Sequence, residues 1–170
     1  MHFVVAYAVT HILVAMVILS LLRHYVFGVK KFPRYLVLIG GIAAILPDAY
    51  IVIGWVASWL FGSVLDLHGT FTHSFFIPIL FSAIGFAFYL GRMMRGAQVW
   101  FVVAFGWLSH VLLDVLYRES VGKALGWPFI YDVGIHARWN LYPYAVHIDA
   151  VLLIVWLIHE EFAGNIKDYF

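Results

Sequence analysis

The sequence predicts an all-α fold: a polytopic transmembrane helical bundle of about five spans with an interrupted second span, forming one integral-membrane domain over residues 1–170. Three observations lead there. Hydrophobic residues make up 65% of the chain and charged ones 11%, under half of the roughly 25% usual in soluble domains. Mean hydropathy is +0.97. The apolar residues are gathered into long runs, and most of the basic residues fall in the connections between them.

Each run is read as a span in order. Phe3 to Leu22 is an apolar run of 20 residues, enough to cross roughly 30 Å of hydrocarbon at about 1.5 Å per residue. Met1 and His2 precede it, and Arg23, Lys30 and Lys31 follow it. That is the reverse of a secretory signal, so the run is expected to stay as a helix. Tyr35 to Phe61 is the second tract, broken at Pro47 and Asp48, because proline lacks the amide proton a continuing helix needs. Phe75 to Leu90, Val99 to Tyr117 and Tyr144 to Ile158 complete the set. There is neither an internal repeat nor a low-complexity linker.

Orientation follows from the basic residues. Arg23, Lys30, Lys31 and Arg34 follow span one, and Arg92 and Arg95 follow span three; positive loops face the cytoplasm. The expected topology puts the N-terminus outside a plasma-type (inner) membrane and the C-terminus in the cytoplasm. His68, His73, His110, Asp114, His136 and His147 then all fall toward the outer face. His11 and Asp48 lie deeper by rise along the helix, unless the segment after Pro47 tilts and lifts Asp48 toward the others.

The chemistry-bearing stretch is Gly106 to Asp114, where His110 and Asp114 stand four residues apart. That spacing stacks them on one helical face. A single histidine in a span commonly ties two helices by a hydrogen bond worth about 1 kcal/mol. Five polar groups, His11, Asp48, His73, His110 and Asp114, converging on one leaflet would be costly without a shared ligand. The chain has no cysteine, so a metal must be held by nitrogen and oxygen, a mixture that suits zinc. A carboxylate such as Asp114 can bridge two ions. An open coordination position lowers the pKa of bound water toward neutral, which is hydrolase chemistry. Thr72 and Ser109 stand beside His73 and His110 as candidate hydrogen-bonding groups for ligands or substrate. No Gly-x-Ser-x-Gly elbow is present. The net charge of +1 suggests neither a nucleic-acid partner nor an acidic substrate.

Five motifs run in order from about residue 10 to 130: Thr10-His11, Leu46-Pro47-Asp48, the box His68-Gly-Thr-Phe-Thr72-His73-Ser74, Ser109-His110 to Asp114, and Trp127-Pro128-Phe129. In them the chain resembles the YdjM-like proteins, a LexA-binding, inner-membrane-associated family described as metal-dependent hydrolases. More distantly, the order of ligands is similar to that of the zinc-dependent phospholipase C and P1 nuclease superfamily. That resemblance implies one ion held by Asp48, His73, His110 and Asp114, and another held by Asp114 with His11. The chain departs from these patterns in three places. Gly69 and Thr70 stand where the box has Arg and Gly, so an anion-binding arginine is missing unless Arg118 or Arg138 replaces it. Met1 precedes His11 by most of half a span, which argues against an N-terminal amine ligand. His136 and His147 would supply only half of a further His, His, Glu site, because Val151 follows one turn after His147.

The expected function is therefore a membrane-embedded hydrolase holding one or two zinc-type ions. Asp114 and Asp48 are its catalytic carboxylates, and its substrate is a phosphoester of a membrane lipid or lipid-linked molecule. Two other readings compete with it. One is a non-catalytic membrane partner with a structural metal; the other is an ion carrier, which would need polar residues through the full thickness of the bundle. The sequence leaves the oligomeric state open.

Overall fold

The computed structural model describes residues 6–62, 71–117, 125–129 and 141–164, and all regular structure among them is helical. Six α-helices carry the fold: α1 (Ala6–Leu22), α2 (Arg34–Ala43), α3 (Tyr50–Phe61), α4 (Phe76–Leu90), α5 (Met94–Tyr117) and α6 (Ala145–Phe162). Helix α1 runs on into a π-helical turn, Arg23–Phe27, that ends at Gly28 with φ 81°. Only glycine adopts that angle without strain.

The interruption in the second tract is real and has the expected cause. Helix α2 ends at Ala43, and Leu46–Ala49 forms a 3-10 turn with Pro47 in its first residues before α3 begins at Tyr50. The break leaves two short helices of 10 and 12 residues, about 15 and 18 Å long at 1.5 Å per residue. By length and composition, two helical stretches could each cross a membrane among the described residues: Ala8–Phe27 and Met94–Tyr117. Helix α4 has 15 residues, and α6 carries Asp149, Glu160 and Glu161, which dilute its apolar character.

Helix α5 is the central element, packing on α4, α2 and α1, while α1 also packs on α2 and α6. The apolar core lies where α1, α2 and α5 meet, with Leu19, Leu36, Val37 and Val102 fully enclosed and Phe32 closing one end. Close approach of α2 and α5 depends on Gly106. A Cβ there would sit 2.5 Å from the Gly40 carbonyl oxygen and 2.8 Å from the Ala43 Cβ, distances no side chain tolerates. The sequence therefore needs glycine one turn before His110, and the site below depends on that contact.

Candidate metal centre

His11 comes from the middle of α1, Asp48 from the 3-10 turn after α2, His73 from a second 3-10 turn (Phe71–His73) ahead of α4, and His110 and Asp114 from α5. Four elements thus deliver five groups to one place. His11, His73, His110 and Asp114 are 0–1% exposed. The Asp48 side chain is 31% exposed, so Asp48 forms the open side of the cluster. The 3-10 turn at Pro47 brings Asp48 to the level of the others, which resolves the depth mismatch the linear arithmetic predicts.

The functional atoms face one another closely. His73 Nε2 lies 3.3 Å from Asp48 Oδ1 and 3.3 Å from Asp114 Oδ2. His110 Nε2 lies 3.1 Å from Asp114 Oδ2, 3.6 Å from Asp48 Oδ1 and 3.3 Å from His73 Nε2. The other Asp114 oxygen, Oδ1, is 3.3 Å from His11 Nε2. Asp114 therefore presents one oxygen to each side, as a bridging carboxylate would. The rings of His11 and His110 stack with centroids 4.0 Å apart and planes at 27°.

The surrounding groups fix how these side chains point. His110 Nδ1 donates to the Ala44 carbonyl over 2.7 Å, which leaves Nε2 to face the cluster. The acceptor is free because Pro47 stops α2 from continuing, and it is close enough because of Gly106. His73 Nδ1 is 3.0 Å from the Thr72 hydroxyl, and Trp107 Nε1 donates to the Thr72 carbonyl over 2.7 Å. Ser74, next along, donates from its hydroxyl to the Trp127 carbonyl and accepts from the Phe76 amide. The Trp127-Pro128-Phe129 motif thus braces the segment carrying His73, with Trp127 also against the rings of Phe71 and Phe76. Two buried atoms at the centre, His11 Nδ1 and Asp114 Oδ2, have no hydrogen-bond partner among the described residues. Buried polar groups are rarely left that way.

Two overlapping groups could hold a metal ion: His11, His110 and Asp114, and Asp48, His73 and His110, each with ligand atoms within 4.8 Å of one another. The spacing fits a small ion well. Ligands at about 2.0–2.2 Å around a tetrahedral zinc lie about 3.3–3.6 Å from one another, and the five separations among Asp48, His73, His110 and Asp114 run from 3.1 to 3.6 Å.

The family model for the YdjM inner membrane protein family matches residues 7–168. The chain belongs to that family. As a family member it is a membrane protein, and the five motifs that suggested the kinship all lie inside the matched segment. No curated protein and no solved structure matches the chain.

The other expected residues are placed differently. Thr72 orients His73 and is not a ligand in the two groups. Ser109 donates to the Gly106 carbonyl of its own helix over 2.8 Å, so its hydroxyl is already engaged. His147 is exposed on α6, unlike the buried ligands. His68, Arg118, His136 and Arg138 lie outside the described residues. Sequence reading passed over Asp149, whose carboxylate accepts from the Thr10 hydroxyl; Thr10 also hydrogen-bonds Tyr117, one turn beyond Asp114. A carboxylate in an apolar run was the available signal, and stepping a full turn from His147 to Val151 missed it.

Proposed function

We propose that this membrane protein is a metal-dependent hydrolase acting on a phosphoester of a lipid or lipid-linked substrate. The observation that carries this reading is the set of four facing ligand atoms at tetrahedral spacing, with the second oxygen of Asp114 turned to His11. Asp48, His73, His110 and Asp114 would hold one zinc-type ion, and Asp114 with His11 would help hold another. When bound, the metal supplies a Lewis acid for the phosphoryl oxygen and a water of lowered pKa. The protein residues do the rest. Thr72 and the Ala44 carbonyl keep two imidazoles oriented, the buried faces of His11 and Asp114 exclude bulk water, and Asp48 marks the side from which substrate arrives.

The proposal includes five spans with the interrupted second tract as one, the N-terminus and the site toward the outer face, and the C-terminus in the cytoplasm. A site at span ends is open to lipid from the side. The distant likeness to zinc-dependent phospholipases supports the phosphoester. The carrier reading fits less well, because the apolar cluster of Leu19, Leu36, Val37 and Val102 interrupts any polar path along the bundle.

The test is turnover. Wild-type protein reconstituted in vesicles should hydrolyse a phospholipid or phosphodiester probe in a chelator-sensitive way, and Asp114→Asn should lose that activity while keeping its helical content. Equal turnover in wild type and Asp114→Asn would overturn the proposal.

A further inference from the structure

A second charged site lies at the C-terminal end of α1. From His11 to Arg23 is twelve residues along the helix, about 18 Å at 1.5 Å per residue. Here α1, α2 and α6 enclose a cavity of about 170 Å³, whose walls include Ser20, Arg23, Arg34, Leu38, Trp156 and Glu160. At about 30 Å³ per water, that is room for roughly five or six waters. A phosphate-sized group fits such a space; a whole lipid does not.

Among the described residues, its wall carries two guanidiniums and one carboxylate. Glu160 is buried, 5% exposed, and accepts from the Ser20 hydroxyl over 2.8 Å and from Arg34 Nη2 over 2.9 Å. That carboxylate offsets one guanidinium, and Arg23 is the second. Arg23 has no carboxylate within ion-pair distance among the described residues. Its Nε donates to the Phe32 carbonyl over 3.1 Å, and its Nη1 lies 3.1 Å from His24 Nε2. A guanidinium can only donate, so His24 accepts there and gives its Nδ1 proton to the Ser20 carbonyl, 2.9 Å away. Arg23 is thereby held by two neutral acceptors that fix its position and leave its charge uncompensated. A further donor in the wall is unspent: the buried Trp156 Nε1 has no acceptor among the described residues. Leu38, 54% exposed, gives one edge of the cavity an apolar border.

We propose that this cavity binds a phosphate-type anion carried on an anionic membrane phospholipid, with Arg23 and Arg34 as its cationic wall and Leu38 beside the lipid chain. The charge of Arg23, without a carboxylate among the described residues, favours an anion, the planar guanidinium fork matches phosphate oxygens, and the apolar border suits a group that arrives from the bilayer. The site is separate from the metal centre and does not depend on it.

The test titrates phosphatidylglycerol, phosphatidylcholine and inorganic phosphate into purified full-length protein, with bound lipid read by native mass spectrometry. Phosphatidylglycerol is expected to bind more tightly than phosphatidylcholine. Arg23→Gln should weaken it on the order of ten-fold, the loss of one charge-assisted contact. Leu38→Trp, which crowds the cavity from a half-exposed position, should weaken it as well and guards against a folding defect in the arginine variant. Phosphate binding that is lost in Arg23→Gln, without any lipid preference, would uphold the anion site and assign it to the soluble ion. Phosphatidylglycerol bound equally by wild type and both variants, or no Arg23-dependent binding of any of the three probes, would overturn the proposal.

Discussion

The two ends of α1 bury charge in opposite ways. Around Glu160 the carboxylate itself is satisfied: it accepts from Ser20 and Arg34, and each of those contacts has a donor and an acceptor in its proper role. Around Asp114 the same bundle gathers three imidazoles and two carboxylates at 3.1–3.6 Å, with Nε2 facing Nε2. Carboxylates and neutral imidazole nitrogens with lone pairs inward only accept. The first end therefore pairs its carboxylate and leaves the Arg23 guanidinium over, which suits an anion, whereas the second gathers acceptors and calls for a shared cation. Burial alone does not tell the two ends apart; which of donors and acceptors is in excess does.

The comparison can be broken at either end. The largest effect is expected from Asp48→Asn. This side chain is partly exposed, so the fold should survive, while loss of one anionic ligand should cut metal affinity, and any turnover with it, on the order of a hundred-fold or more, read by competition with a chelating dye. Next is Thr72→Val, which removes the hydroxyl 3.0 Å from His73 Nδ1 but no ligand. Outer-shell partners of this kind are worth about 10- to 100-fold in metal affinity, and unchanged affinity would show that the Thr72 contact does not orient His73. At the Glu160 end, Glu160→Ala should leave metal content untouched and lower stability in detergent by about 1–3 kcal/mol. That is below the usual 3–5 for one half of a buried ion pair, because the Arg34 side chain is 36% exposed and regains water. The smallest effect belongs to Ser109→Ala. Among the described residues its hydroxyl bonds only a carbonyl of its own helix, so a change under about 1 kcal/mol in melting free energy, with metal content unaltered, is expected.

Much of this was legible in the sequence, for physical reasons. The break at Pro47, the shared face of His110 and Asp114, and the meeting of both with His11 and His73 follow from helical period, proline chemistry and the cost of buried polar groups. What was not legible depended on packing between distant segments. That Gly106 admits the Gly40 carbonyl and so carries Ala44 up to His110 cannot be read from spacing along one helix. Nor can the pairing of Ser20 with Glu160, 140 residues apart, or the bracing of Ser74 by Trp127. Of the five expected spans, two are matched by helical stretches long and apolar enough for a crossing among the described residues. Pro47 divides one tract into two short helices, and α6 carries Asp149 inside the expected run and Glu160 and Glu161 just past it.

The most direct test of the central claim is the metal content of the purified protein, prepared without chelators, with wild type beside His110→Ala. About one to two zinc-type ions per wild-type chain are expected, with a loss of most of that metal in His110→Ala, whose missing Nε2 faces Asp48, His73 and Asp114. Wild-type protein with no stoichiometric divalent ion, or His110→Ala carrying as much metal as wild type, would contradict the claim.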